Sequence, residues 1–245
     1  IGKIKNCIDN TFNVRAREIT MEMNPDDVTP ELIRSVKAMG VNRISIGIQT
    51  FNDVRLKFIH RRHTSETAIA AVGAIREAGI ENISIDLMFG FPDESMDEWR
   101  YDIKKAIELN PTHISAYCLM YEEGTLLHRL MELGKVKPID EDTYLAMYST
   151  LIDTLENNGY IQYEISNFAR EGYMAIHNSS YWQDVPYIGL GASAHSYLKD
   201  RRCWNVDNLN EYIIALKNGV LPSEYEIIDA RTRHNGYAHE RGAEP

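Results

Sequence analysis

The stretch Arg43-Ile-Ser-Ile-Gly-Ile-Gln49 decides the fold of this chain. It is a short apolar run with small and polar residues interspersed, bounded by Gly40 and by Asn52-Asp53. This pattern predicts a buried parallel strand that ends at Gln49. Because α/β folds place ligand-contacting groups at the carboxyl ends of parallel strands, Gln49 is expected at a functional edge of the sheet.

Three further runs have the same character, and helical patterns separate all four. The predicted strands are Glu18–Met23, Asn82–Met88 and His113–Cys118. The helix starts are well marked, by Thr29-Pro30 and by the capping-box pattern Ser95-Met-Asp-Glu98. The segment 50–62 is predicted to be a polar loop. Strands that alternate with helices about every thirty residues indicate right-handed βαβ units and a parallel sheet. Beyond Gly159 the pattern predicts short strands that could continue the sheet in antiparallel orientation.

Composition excludes several classes of protein. The net charge of −10 argues against a general nucleic-acid or anionic-membrane surface. No apolar run is long enough to cross a bilayer, and residues 1–6 hold no signal-peptide core. The three cysteines, Cys7, Cys118 and Cys203, are far apart and form no Cys-x-x-Cys pair. We therefore expect a cytoplasmic protein without a disulfide framework. The absence of an initial Met suggests a fragment.

Polar residues at or near the strand ends form the sharpest candidate site. Glu22, Gln49 and Asp86 fall there, and Arg61 lies on the loop after the second strand. Two carboxylates and an amide suit a ribose and an amino-acid-like ligand, and an arginine can hold a carboxylate in a bidentate pair. Each residue alone is more often a cap or part of a surface ion pair, but the four together favour a site. An aldolase-type barrel would need a lysine at a strand end, and none of the four strands has one.

Two further motifs have both a functional and a structural interpretation. His177-Asn-Ser-Ser-Tyr181-Trp182 could ligate and stack on a planar macrocycle such as haem, or could supply core aromatics and a hydrogen-bonded imidazole. The run His60-Arg-Arg-His63 could contact phosphate or nucleic acid. In an acidic chain it is more typical of a solvated face or a single anion contact.

Five segments resemble a known family, the oxygen-independent coproporphyrinogen III oxidase-like branch of the radical SAM superfamily. They are Glu18–Pro25, Gly40–Phe51, Ile85–Pro92, Tyr163–Ala169 and Gly189–Ser196. The resemblance extends to about Tyr237. Within the branch, Tyr-Glu-Ile-Ser-Asn-Phe-Ala and His-Asn-x-x-Tyr-Trp resemble the HemW-type haem chaperones more than the oxidase.

This resemblance implies a partial (β/α)6 barrel that binds a [4Fe–4S] cluster and S-adenosylmethionine (SAM). By motif position, Glu22, Gln49, Arg61 and Asp86 match the SAM contacts of the family, and His177 falls in the motif associated with haem. The implied function is that of a haem chaperone that passes haem to a partner protein. The alternative is a coproporphyrinogen III dehydrogenase, which decarboxylates porphyrinogen propionates through a SAM-derived radical.

The departures from the family pattern bear on activity. The cluster motif Cys-x-x-x-Cys-x-x-Cys and the first two barrel strands would lie upstream of residue 1, so we expect an incomplete barrel in which Cys7 cannot replace three ligands. No catalytic residue and no metal ligand is predicted, and the chain alone is expected to be inactive. The predicted domains are the partial barrel (1–135), an α+β extension with the His-Asn-x-x-Tyr-Trp motif (136–230) and a truncated or irregular tail (231–245). The oligomeric state is left open.

Overall fold

Four strands pair in parallel, as the sequence predicts. They are β1 (Thr20–Met23), β2 (Arg43–Gln49), β3 (Asn82–Phe89) and β4 (His113–Cys118), and they lie in sequence order in the sheet. In this computed structural model, which describes residues 1–13 and 15–229, two short strands extend the same sheet. These are β5 (Ile161–Gln162) and β6 (Asn167–Ala169), and β6 pairs antiparallel with β4.

Seven helices occur in the described part of the chain before residue 175. They are α1 (Gly2–Phe12), α2 (Pro30–Ala38), α3 (Asp53–Phe58), α4 (Ser65–Glu77), α5 (Met96–Glu108), α6 (Leu126–Glu132) and α7 (Glu141–Asn157). The predicted starts are confirmed. Thr29 accepts a hydrogen bond from the Leu32 amide in front of Pro30, and Ser95 and Glu98 form the capping box of α5. None of the helices in the described residues is long and apolar enough to cross a membrane.

The prediction of a loop over residues 50–62 is wrong in part, because α3 lies within it. Asn52 caps this helix by accepting hydrogen bonds from the amides of Val54 and Arg55. Leu56 is its one buried residue. A single turn and a half with one apolar anchor gives no helical periodicity, so the pattern of the sequence did not reveal it.

Two compact units divide the chain, one covering residues 1–175 and the other starting at Ile176. The second unit contains α8 (Ile176–Trp182), β7 (His195–Tyr197), β8 (Arg201–Asn205), α9 (Leu209–Lys217) and β9 (Ser223–Ile227), and its strands form an antiparallel sheet in the order β7-β8-β9. The predicted boundary at residue 135 falls inside the first unit, and that division stays a prediction. The predicted tail 231–245 lies outside the described residues.

The core of the first unit lies between the helices and one face of the sheet. Ile44, Ile46 and Ile48 alternate along β2 and are fully buried. Trp99 of α5 belongs to the same core, and the centroid of its ring lies 5.0 Å from that of Phe89. The Trp99 indole also donates a hydrogen bond to the Met147 carbonyl at 2.9 Å, so it joins β3, α5 and α7.

Replacement of this tryptophan should be strongly destabilising. Trp99→Ala is expected to lower the free energy of unfolding by about 4 kcal/mol, because it leaves a cavity in the core and removes the hydrogen bond to the Met147 carbonyl. Urea denaturation measures the change. Tyr101→Ala on the same helix, where the side chain is exposed, should change it by less than about 0.5 kcal/mol. Equal effects of the two substitutions would contradict this account of the core.

Candidate functional site

The sheet of the first unit has one apolar face and one polar face. Successive side chains of a strand point to opposite sides, so the isoleucines of β2 face the helices while Arg43, Ser45 and Gly47 share the other face. Ser84 and Asp86 of β3 continue that face, since Ser45 and Gly47 stand in register with them. Arg43, Ser45 and Ser84 are nonetheless buried. The second face is therefore an enclosed polar surface.

A cavity of about 330 Å³ opens at the carboxyl end of this polar face. All four residues predicted from strand-end position and family resemblance line it, namely Glu22, Gln49, Arg61 and Asp86. The remaining lining residues are Met23, Asn24, Asp27, Ser45 and Gly47. The structure thus brings together, from β1, β2, β3 and the loop after α3, the residues that the sequence singled out.

Gln49 reaches the cavity from an irregular strand end. The register of β2 against β3 shifts between Gly47 and Gln49, so that Ile48 is an extra residue without a partner. Gln49 itself has a φ of 70°, in the left-handed region that non-glycine residues rarely occupy. Backbone strain of this kind persists only where neighbouring contacts hold it, and it is concentrated at functional sites.

Arg61 is directed into the cavity by the end of α3. The His60 backbone is left-handed, with a φ of 57°, and the Arg61 amide donates back to the Leu56 carbonyl at 2.8 Å, which reverses the chain direction. The Arg61 guanidinium then donates to the Gly47 carbonyl at 2.7 Å. A Cβ at Gly47 would lie 2.6 Å from Arg61 Nη2 and 2.9 Å from Gln49 Nε2, so only glycine leaves room for both side chains.

The acidic side chains give the cavity a negative field. Glu22, Asp27 and Asp86 line it together with the single cation Arg61. The pKa of Asp86 is raised to about 6. Burial is the main cause and the nearby Glu22 carboxylate adds to it, while hydrogen bonds from Ser115 and Ser45 act in the opposite direction. The Ser45 hydroxyl lies 3.2 Å from Asp86 Oδ1. Such a site favours a ligand that carries positive charge and several hydrogen-bond donors.

SAM meets this description, because it combines a sulfonium and an ammonium group with a carboxylate and a ribose diol. The space kept above Gly47, the acidic lining and the guanidinium of Arg61 all fit such a molecule. A [4Fe–4S] cluster instead needs several thiolates close together. Cys7, Cys118 and Cys203 are each free, and in the ranges 1–13 and 15–229 no three His, Cys, Asp or Glu side chains are placed to hold a metal ion. The described residues do not fit the cluster.

His177 lies in the second unit, on the short helix α8. It is exposed, and its Nε2 atom is 2.8 Å from the Tyr181 hydroxyl. The rings of His177 and Tyr181 meet edge to face with centroids 4.9 Å apart, and Tyr187 meets Tyr181 in the same way at 5.0 Å. Trp182 is also exposed. The structural interpretation of this motif as a buried aromatic pair is therefore wrong, whereas its ligand-binding interpretation stays a prediction.

Sequence reasoning missed the other five residues that line the cavity and a buried histidine of the loop after α3. Ser45 and Gly47 lie within the predicted strand but were not selected, although alternation with Gln49 places them on the same face. His63, which was considered only as part of a basic run, is buried, with its Nε2 atom 3.0 Å from the Ile48 carbonyl. No local pattern distinguishes a buried histidine from an exposed one in such a run.

The raised pKa of Asp86 predicts a dependence of stability on pH. Because its pKa in the folded state, about 6, exceeds the ordinary value of 3.8, the native state binds more protons between those values, and the contribution of Asp86 to stability falls as the pH rises through this interval. Asp86→Asn should therefore raise the free energy of unfolding by roughly 2 kcal/mol at pH 7 and by little at pH 4. Urea unfolding from pH 4 to pH 8 measures this difference. Asp97→Asn, at an exposed position on α5, should leave the profile unchanged, and parallel profiles for wild type and Asp86→Asn would contradict the prediction.

Comparison with known proteins places these features in a family. Residues 3–106 match the model of the radical SAM superfamily. The chain is 39% identical over 196 residues to the heme chaperone HemW of Bacillus subtilis, covering 80% of this chain and 52% of the relative. It is 39% identical over 180 residues to HemW of Escherichia coli, covering 73% of this chain and 46% of the relative. The chain thus spans about half the length of the curated relatives it matches.

Structural comparison agrees on the fold. The coproporphyrinogen III oxidase HemN of Escherichia coli, a radical SAM enzyme, superimposes with a TM-score of 0.76 at 22% identity, over 91% of this chain and 54% of that one. This supports the predicted mixed α/β architecture, with a mostly parallel sheet and a smaller antiparallel extension. The family match, the HemW similarity and the shared fold agree: residues 3–106 match the radical SAM superfamily, and the chain is similar to the HemW proteins.

Proposed function

We propose that this chain is part of a HemW-type haem chaperone that binds SAM in the cavity of the first unit and haem at the His177 motif of the second. The observation that carries the SAM assignment is the convergence of Glu22, Gln49, Arg61 and Asp86 on one cavity at the carboxyl ends of parallel strands. The similarity to proteins named heme chaperone supports the haem assignment.

Each side chain of the cavity has a role that follows from its chemistry. Arg61 uses one donor on the Gly47 carbonyl, and the guanidinium has five, so it can also hold the SAM carboxylate. Glu22 and Asp86 accept hydrogen bonds from the ammonium group or the ribose hydroxyls. Gln49 offers both an amide donor and an acceptor beside them. Bound SAM would supply a sulfonium centre and an adenosyl group.

Loss of either polar group should weaken SAM binding. Arg61→Ala and Gln49→Ala are each expected to raise the dissociation constant about tenfold or more, because a hydrogen bond to a charged or buried ligand group is lost. Isothermal titration calorimetry of the anaerobically prepared protein with SAM measures it. Arg34→Ala is the matched control, since Arg34 pairs with Glu31 on the exposed face of α2 and neither residue lines the cavity. Unchanged affinity in both cavity variants would remove the site assignment.

The His177 motif suits a planar ligand. An exposed imidazole stands beside exposed Tyr181 and Trp182, and an aromatic surface of this kind can stack on a macrocycle while the imidazole ligates its iron. The hydrogen bond between His177 and Tyr181 would orient the ring, or would be exchanged for the metal bond. A haem held at an exposed site could pass to an accepting protein, as a chaperone requires.

Haem binding and catalysis are separated by one pair of assays. Titration with haemin should give one bound haem per chain, with a Soret band that is lost or shifted in His177→Ala but kept in His128→Ala, a histidine of α6 in the first unit. Anaerobic incubation with coproporphyrinogen III should give no protoporphyrinogen. Turnover would assign the chain to the dehydrogenase alternative, and a normal haem spectrum in His177→Ala would remove this residue from the site.

A further inference from the structure

The end of β2 departs from a regular strand in a way that needs support. Ile48 is the extra residue of the bulge, and Gln49 after it has a left-handed backbone. For a residue with a Cβ this conformation is disfavoured, because the Cβ comes too close to the following carbonyl oxygen. It folds the Gln49 side chain back above Gly47, toward the Arg61 guanidinium. Some contact must therefore hold the backbone against relaxation.

His63 makes such a contact. Its side chain is buried, 4% exposed, and its Nε2 atom lies 3.0 Å from the carbonyl of Ile48. A carbonyl only accepts, so Nε2 must carry the proton and donate. Burial lowers the pKa of His63, which keeps the ring neutral, and Nδ1 has no hydrogen-bond partner among the described residues. Among the described residues, the imidazole of His63 therefore makes one hydrogen bond, and it donates that bond to Ile48, the extra residue of the bulge.

The same loop also contacts the preceding carbonyl. Arg61 donates to the Gly47 carbonyl at 2.7 Å, two residues before His63 donates to that of Ile48. The Ile48 carbonyl additionally accepts from the Thr50 amide at 3.0 Å, across the left-handed residue. The loop after α3 thus provides a partner for each of two consecutive carbonyls where the ladder of β2 is interrupted. Of these two hydrogen bonds to the Ile48 carbonyl, only the one from the Thr50 amide would remain without His63.

We infer that His63 is a positioning residue of the cavity: by donating to the Ile48 carbonyl it stabilises the left-handed backbone of Gln49 and so directs the Gln49 amide to the ligand. This inference rests on the proposed binding of SAM. His63 does not line the cavity. Its effect on affinity must pass through Gln49, which makes it separable by experiment from direct contact.

A double-mutant cycle measures that dependence. SAM affinity is determined by calorimetry for His63→Leu, Gln49→Gly and the double variant. Glycine adopts the left-handed conformation without strain and has no amide to direct. His63→Leu should weaken SAM binding about five- to tenfold in the wild-type background, and less than about twofold in the Gln49→Gly background. Equal losses in both backgrounds, or no loss in either, would overturn the inference.

Conservative rescue and a matched control complete the test. His63→Gln retains a donor at the reach of Nε2 and should bind SAM within about twofold of wild type. His60→Asn, at the exposed histidine of the same loop, keeps a residue that tolerates the left-handed backbone and should also match wild type. Failure of glutamine to restore the affinity lost in His63→Leu would show that only packing matters there. His63→Met replaces His63→Leu if the latter does not fold.

A measurement without SAM separates this inference from the proposed function. Amide hydrogen exchange at Thr50, whose N–H closes the turn on Ile48, should be faster in His63→Leu than in wild type and unchanged in His60→Asn. Unchanged exchange in His63→Leu would overturn the positioning role even if SAM binds. If Thr50 exchanges faster in His63→Leu than in wild type but the wild-type protein binds no SAM, the proposed site is overturned and His63 keeps a structural role only.

Discussion

Strand β2 is paired on both edges and covered on both faces, and the site depends on this double burial. Its Ile44, Ile46 and Ile48 side chains fill the core, so the strand cannot slip without exposing them. Its other face carries polar groups that must find partners inside the protein. The ladder is interrupted only where β2 ends, at Ile48, and there the loop after α3 supplies the missing hydrogen-bond donors. The core side chains fix the strand, and the loop after α3 holds its irregular end. The groups at the cavity therefore keep a defined position.

The enclosed polar face also has a cost in stability. Burial raises the pKa of Asp86 on this face to about 6, and it raises that of Asp102 on helix α5 to about 6 as well, because both charged forms are poorly solvated. Asp102 compensates by accepting a hydrogen bond from the Phe51 amide at 2.9 Å, directly after the bulge. In the part of the chain that the structure describes, Asp86 accepts hydrogen bonds from the Ser45 and Ser115 hydroxyls. A carboxyl group left in this state is typical of a residue retained for binding.

The Tyr-Glu-Ile-Ser-Asn-Phe-Ala segment that carried part of the family resemblance has a structural role in the first unit. The Tyr163 hydroxyl lies 2.7 Å from Nε2 of His113, whose Nδ1 is 2.8 Å from the Ser84 hydroxyl. Burial lowers the pKa of His113 to about 3, so this ring is neutral and serves as a link between strands. Asn167 pairs with Ser115 across β4 and β6. The motif closes the polar face at the edge where the sheet becomes antiparallel.

The sequence by itself determined the four parallel strands, the capped starts of α2 and α5, and four of the nine residues that line the cavity. Periodicity reports which positions are buried, and the strand-end rule selected Glu22, Gln49 and Asp86, with Arg61 following from its place on the next loop. Only the tertiary structure decided how they are held. The helix α3, the bulge at Ile48 and the bond from His63 arise from contacts between residues more than ten positions apart, or from a single buried side chain, which leave no repeating pattern in the sequence. The type of a polar residue indicates which ligand groups its side chain can bind. The position and orientation of that side chain are set by the backbone and the neighbouring residues that it packs against.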